Sequence, residues 1–91
     1  MTRDYLFGEP RDVCRLTVAA VSDLSGVPVE DIMGDSHRGP AVAARHAAMY
    51  LVRKARKSYP QIGLWFNRDH TTVMNAVRKV EAAPHEYPIW E

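Results

Sequence analysis

The sequence predicts an all-α fold. Two observations carry this: apolar residues recur at the helical spacing i, i+3, i+4, i+7, and Gly and Pro punctuate the gaps between those stripes. No stretch alternates as a half-buried strand would, and there is no repeat and no low-complexity segment. Ninety-one residues suffice for one core of about three to five helices. No apolar run approaches the roughly 20 residues of a membrane span. The start, Met1-Thr2-Arg3-Asp4-Tyr5, has no apolar signal segment, so a cytoplasmic protein is expected.

Residues 1–8 lack periodicity and read as an N-terminal arm; residues 9–83 read as the domain and 84–91 as a C-terminal tail. Glu9-Pro10 looks like a helix start, with Pro10 at the first helical position, where its missing N–H costs nothing. Val13, Leu16, Thr17, Ala20, Val21 and Leu24 then form an amphipathic stripe. Gly26 ends this helix and Pro28 prevents its continuation. A two-turn helix follows over Pro28 to Met33, with Glu30 and Asp31 near its positive end and Gly34 closing it. Residues 35–40 are a loop by composition, carrying His37 and Arg38.

Residues 41–57 read as the longest helix. Its buried stripe is expected to be Ala44, Ala47, Ala48, Leu51, Val52 and Ala55, with Arg45, Met49, Arg53 and Arg56 on another face. Pro60 breaks this pattern or opens the next helix, whose short stripe is Tyr59, Ile62 and Phe66. Trp65 and Phe66 are expected in the core. A turn at Asn67-Arg68 leads to a helix from Asp69 to about Ala82 with a clear buried stripe, Val73, Ala76, Val77 and Val80. Pro84 marks its end, and the tail with Tyr87, Ile89 and Trp90 is expected to pack back on the domain.

Charge and spacing suggest a partner. Residues 1–35 carry a net charge of −4, residues 36–68 carry +7 with no acid, and residues 69–91 carry −2. A basic block between acidic flanks suits a polyanion, and nucleic acid is the usual one. Residues 59–80 read as helix, short turn, helix, and the last helix buries its rear face while gathering Arg68, Asp69, His70, Thr71 and Thr72 about its first turn. Major-groove reading requires such a helix. An ordinary helical hairpin with a capped end is the bland alternative.

Residues from about 40 to 81 resemble the C-terminal DNA-binding domain (domain IV) of the bacterial replication initiator DnaA. The resemblance rests on Arg45-His46-Ala47-Ala48-Met49-Tyr50-Leu51, on Tyr59-Pro60-Gln61-Ile62-Gly63, and above all on Arg68-Asp69-His70-Thr71-Thr72-Val73 followed by Ala76-Val77-Arg78-Lys79-Val80-Glu81. Residues 11–35 fit the family's first two helices more loosely. The resemblance implies a small helical bundle with a helix-turn-helix, similar to the Trp repressor, that binds a short asymmetric box in double-stranded DNA as a monomer. By it, Asp69, His70 and Thr71 read base edges, and Thr72 supports them or touches phosphate. Arg45 contacts DNA from the long helix, Arg53 faces the backbone, and Pro60 and Gln61 open the helix that crosses it. Arg38 lies in the loop that enters the minor groove, and Arg68, Asn75 and Arg78 complete the expected DNA-binding set.

The chemistry suits these roles: Arg pairs bidentately with guanine or sits in a narrow A·T groove, Asp accepts from the cytosine amino group, a Thr methyl packs on thymine, and His70 donates or accepts. Two departures are visible. Asn67 stands alone where the family has Gly-Gly, and the loop holds only His37 and Arg38 before Gly39-Pro40, where the family is richer in arginine.

The sequence contains no Gly-x-x-x-x-Gly-Lys-Ser/Thr phosphate loop and has no room for the family's ATPase module. The expected function is therefore sequence-specific DNA binding by occupancy, in transcription or replication control of a bacterium or its phage, without catalysis and at the nucleoid. Beginning at Met1, the chain reads as a complete short protein. The alternative from another class is a protein-interaction adaptor that keeps the bundle but not box recognition. Its partner would meet the acidic N-terminal third or the tail. No cofactor is expected. His37, His46, His70 and His85 have no metal-ligand spacing with Cys14, which is expected as a partly buried structural thiol.

Overall fold

A computed structural model of the protein describes residues 10–89. The expected arm over 1–8, Glu9 and the tail residue Trp90 lie outside them. The described residues form α1 (Pro10–Ser25), α2 (Val29–Met33), α3 (Gly39–Lys54), α4 (Tyr59–Phe66) and α5 (His70–Ala82), then a 3-10 turn over Pro84–Glu86. Among them there is no strand, and no helix is long and apolar enough to cross a membrane.

The central element is α3, which packs against all four other helices. Small residues make that possible. Ala41, Ala44, Ala47 and Ala48 are buried along it, and the larger Met49 and Val52 fill the remaining space. Residue 49 was expected on another face, yet Met49 is only 1 % exposed. With neighbours on nearly every side, α3 has a wider buried face than one amphipathic stripe. The helix also stops earlier than the expected 57. Ala55 caps it, and Arg56 takes a left-handed backbone at φ 70°, a common way to end a helix. It is thus 16 residues long, the same as α1.

The stripe expected on α1 is rotated in the structure. Cys14, Val18 and Val21 are buried, whereas Leu16 is 71 % and Leu24 53 % exposed. The apolar arc of α1 is wide, running from Leu16 past Val13 and Val21 to Val18 opposite a polar side of Asp12, Arg15, Ser22 and Asp23, so more than one stripe within it satisfies the helical period. The compact face of Cys, Val and Val suits close packing on the alanines of α3; long leucines do not. Burial pushes the Cys14 thiol up to about 11. Gly26, at φ 78°, ends α1 as the sequence predicts.

The tail returns to the bundle: Tyr87 and Ile89 are half-buried against the core. The Tyr87 ring lies 6.4 Å from that of His46 on α3. His46 is half-buried, and burial foremost, then the charges of Lys79 and Arg45, lowers its pKa from the ordinary histidine value.

The turn between α4 and α5 depends on Gly63. Its carbonyl accepts from Arg68 N at 2.8 Å, and a Cβ placed there would lie 2.5 Å from the Arg68 carbonyl oxygen and 3.3 Å from His70 N. Those neighbours are backbone and cannot swing aside. Asn67 adopts the left-handed conformation, φ 56° and ψ 47°, where glycine would otherwise serve, and the turn to α5 closes in the three residues Asn67, Arg68 and Asp69.

Two outcomes follow. Gly63→Ala is expected to cost at least about 1–3 kcal/mol of stability, read as a lower urea midpoint followed by circular dichroism. A second concerns pH. The folded state disfavours protonated His46, so its contribution to stability is present above the ordinary histidine pKa and is lost as pH falls through the lowered value. Urea midpoints at about pH 7.5 and about pH 5 should show a drop that His46→Gln reduces.

Candidate nucleic-acid interface

The candidate interface is built on the exposed side of α5 and on the two corners beside it. Val73, Ala76, Val77 and Val80 are buried, which forces the opposite stripe outward. Thr71, Asn75 and Arg78, at i, i+4 and i+7, form that stripe and are all exposed. Thr72 is exposed beside it, as is Lys79, which sequence reasoning did not select although it lies two turns along the helix from Thr72.

The free end of α5 is capped by Asp69. Its carboxylate Oδ1 accepts from Thr71 N at 3.1 Å, and His70 Nδ1 lies 3.1 Å from the same oxygen. Both side chains remain more than half exposed, 68 % for Asp69 and 58 % for His70. The cap occupies one carboxylate oxygen on its inner side; the other oxygen and the imidazole remain available to a ligand.

Across a shallow cleft stands α4. Pro60, Leu64 and Asn67 line that cleft together with Asp69 and His70. Leu64, another residue the sequence reading passed over, is 80 % exposed there. Ser58 and Gln61 form a capping box at the start of α4: Ser58 Oγ accepts from Gln61 N at 3.2 Å, and Gln61 Oε1 accepts from Ser58 N at 3.0 Å. The Gln61 carbonyl oxygen is thereby engaged in the cap, leaving the amide nitrogen as its outward donor. The Ser-x-x-Gln spacing was readable as a cap in the sequence.

The cations differ in exposure. Lys54, Arg56 and Arg38 are exposed. Arg53 is half-buried: its Nη1 donates to the Lys57 carbonyl at 3.0 Å, and its guanidinium lies 4.2 Å from the centre of the Tyr59 ring. That stacking fixes its direction without removing its charge.

Arg45 and Arg68 depart from the sequence reading, which gave both to DNA. Arg45 is only 6 % exposed. Its Nε donates to the Ile32 carbonyl at 2.7 Å, and its Nη2 donates to the Asp31 and Ser36 carbonyls at 2.7 and 3.1 Å. Burial, then the nearby charge of Arg68, lowers its pKa, with Asp35 and Asp31 opposing. The Arg68 side chain is 20 % exposed and donates to the Phe66 carbonyl at 2.8 Å and the Gly34 carbonyl at 2.6 Å. The reason is the C-terminal end of α2, which leaves carbonyls unpaired within the fold. These two guanidiniums satisfy them.

Among the described residues no cluster of His, Cys, Asp and Glu is placed to hold a metal ion. The other opening of note is an apolar cleft between α1, α2 and α4, lined by Cys14, Val18, Val29, Met33 and Trp65. Trp65, expected in the core, is half-buried and packs against its edge.

The sequence profile described as the bacterial dnaA protein helix-turn-helix matches residues 16–80. The chromosomal replication initiator protein DnaA from two strains of Thermus thermophilus is 40 % identical to this chain over 78 residues, covering 84 % of this chain and 17 % of the initiator. The protein of that name from Cutibacterium acnes is 42 % identical over 67 residues, covering 71 % of this chain and 13 % of the relative. The chain therefore spans less than a fifth of the length of these relatives.

The double position of Asp69, as cap and as exposed acid, gives an expected outcome. Asp69→Ala should lower stability by about 1 kcal/mol, and Asp69→Asn should restore most of it, because Asn is an equally good cap. Thermal denaturation of the three proteins checks this; equal losses for Ala and Asn would show that charge, not capping, stabilises the end.

Proposed function

The chain belongs to the bacterial DnaA helix-turn-helix family, and from that membership we propose that it binds double-stranded DNA sequence-specifically, with α5 as the recognition helix in the major groove. The observation that carries this reading is the two-faced build of α5. Its rear face is buried in the bundle, while Thr71, Asn75 and Arg78 face outward and Asp69 and His70 stand at its free N-terminal end. A major groove about 12 Å wide accepts one helix, and the residues of its first turns meet base edges.

In this reading Asp69, His70 and Thr71 contact bases, and Thr72, Asn75 and Arg78 flank them along the groove. Pro60, the Gln61 amide and Arg53 meet the phosphate backbone at the start of α4, with Lys54, Arg56 and Lys57 strengthening the same corner. Phosphate contacts set affinity and salt dependence; base contacts set sequence choice. Arg38, exposed just before α3, reaches an adjacent minor groove. Arg45 and Arg68 stay inside the protein. The protein acts by occupying its site as a monomeric module of residues 9–83, in replication or transcription control.

The test is fluorescence anisotropy on a duplex with a DnaA-type box and on a scrambled duplex, across a salt series. A box preference of about 10³-fold or more is expected. His70→Ala should weaken box binding by about 1–3 kcal/mol and spare the scrambled duplex, whereas Arg53→Ala should weaken both alike and flatten the salt slope. Identical behaviour of the two variants would remove α5 from the major groove. Absence of binding at low salt would favour the adaptor.

A further inference from the structure

Two arginines of the basic block point inward, and their bonds converge on one short segment. From α3, Arg45 donates to the carbonyls of Asp31, Ile32 and Ser36. From the α4–α5 turn, Arg68 donates to the carbonyl of Gly34, 34 residues earlier in the chain, and to that of Phe66 at the end of α4. The segment they hold is the end of α2 and the start of the loop that follows. The chain turns sharply there; a Cβ on Gly34 would lie 2.7 Å from the Glu30 carbonyl oxygen. The loop then runs through exposed His37 and Arg38 directly into α3.

Arg68 is also part of the turn that launches α5. Its backbone N–H is fixed to the Gly63 carbonyl, and the next residue, Asp69, caps the helix. One side chain thus joins the loop that presents Arg38 to the turn that presents Asp69, His70 and Thr71. A guanidinium suits this: its planar fork reaches two carbonyls in fixed directions, which an ammonium on a flexible stem does not.

We propose that Arg68, supported by Arg45, is a positioning residue for DNA recognition: it fixes the spacing between the loop carrying Arg38 and the N-terminal end of α5, so that the two read a site as one rigid unit. Arg68 does this through the protein, without touching DNA. An arginine that met a phosphate would have to release its carbonyls or turn its donors outward, and both terminal nitrogens are engaged within the fold. The proposal rests on the DNA-binding reading above.

The experiment uses the full chain and two variants, Arg68→Lys, which keeps the charge but not the fork, and Arg68→Ala. Each is titrated by anisotropy with a box duplex, single-position variants of that box, and the scrambled duplex, across a salt series. Positions read by the loop are those whose penalty disappears in Arg38→Ala; positions read by α5 are those whose penalty disappears in His70→Ala. The expected result for both Arg68 variants is a loss of box affinity of about tenfold. Penalties at both classes of position should shrink together, with the salt slope unchanged. In the free protein, amide hydrogen exchange at residues 35–38 should accelerate in both variants.

Recovery of box affinity by Lys, or a fall in salt slope of about 0.9 in Arg68→Ala, as for one lost phosphate contact, would overturn the proposal. Unchanged exchange at residues 35–38 would overturn it as well. Equal binding of wild-type protein to box and scrambled duplexes would instead be a failure of the DNA reading. The exchange measurement, made without DNA, would still decide whether the tie exists. If Arg68→Ala does not fold, Arg68→Lys carries the same readouts.

Discussion

The backbone crossing at Gly63 sets the geometry of everything after it. The hydrogen bond from Arg68 N to the Gly63 carbonyl contributes only about 1 kcal/mol net, as such bonds do. The steric condition is stronger. With the Arg68 carbonyl oxygen 2.5 Å from where a Cβ would stand, only glycine lets the turn lie this close on α4. That approach permits a turn with one left-handed residue, Asn67, and it delivers Arg68, Asp69 and His70 in succession against the side of α4. The direction of α5 follows from that contact, and its apolar stripe then holds it against α3 and α4.

The basic block contains cations with two different duties. Its formal charge of +7 overstates what a polyanion would meet. Arg45 and Arg68 are withdrawn to neutralise the carbonyl-rich end of α2. Burying a guanidinium costs several kcal/mol unless its donors are satisfied. Carbonyl oxygens arranged around each head meet most of that condition; the carboxylate paired with Arg68, that of Asp35, lies 3.8 Å away and is almost wholly exposed, so it adds little. The block is therefore partly architecture: some of its charge assembles the surface on which the remainder is displayed.

What could be read from the sequence depended on how uniquely each residue type fixes its environment. α5 was legible because four apolar residues define a single stripe among polar neighbours, and the turn was legible because Asn67 is one of the few residues that accepts a left-handed backbone. α1 was legible only in part, since its single apolar arc is wide enough to hold more than one stripe; packing against the alanines of α3 chose Cys14, Val18 and Val21 within it. The end of α3 was missed because Arg56 is not a residue from which a left-handed stop is inferred. The inward turn of Arg45 and Arg68 was illegible for a different reason. Their partners are backbone carbonyls, which every residue carries, so no side-chain pattern announces them; only the assembled fold brings residues 31–36 under both arginines.

Asp69 poses the opposite question: why, in the proposed complex, an acid would stand where phosphates approach. Two unit charges about 4 Å apart interact by about 1 kcal/mol in water and by more near a low-dielectric surface, so a carboxylate at a helix end that met DNA would have a cost. The same position confers two offsetting gains. The carboxylate satisfies the free N–H of Thr71, a capping contribution of about 1 kcal/mol. It also sits at the positive end of the helix dipole, which favours an anion there. The charge is thus balanced within the protein before DNA arrives. A helix end with a neutral, non-capping residue would repel less but would fray, and the side chains of His70 and Thr71 would lose the fixed directions that reading base edges requires.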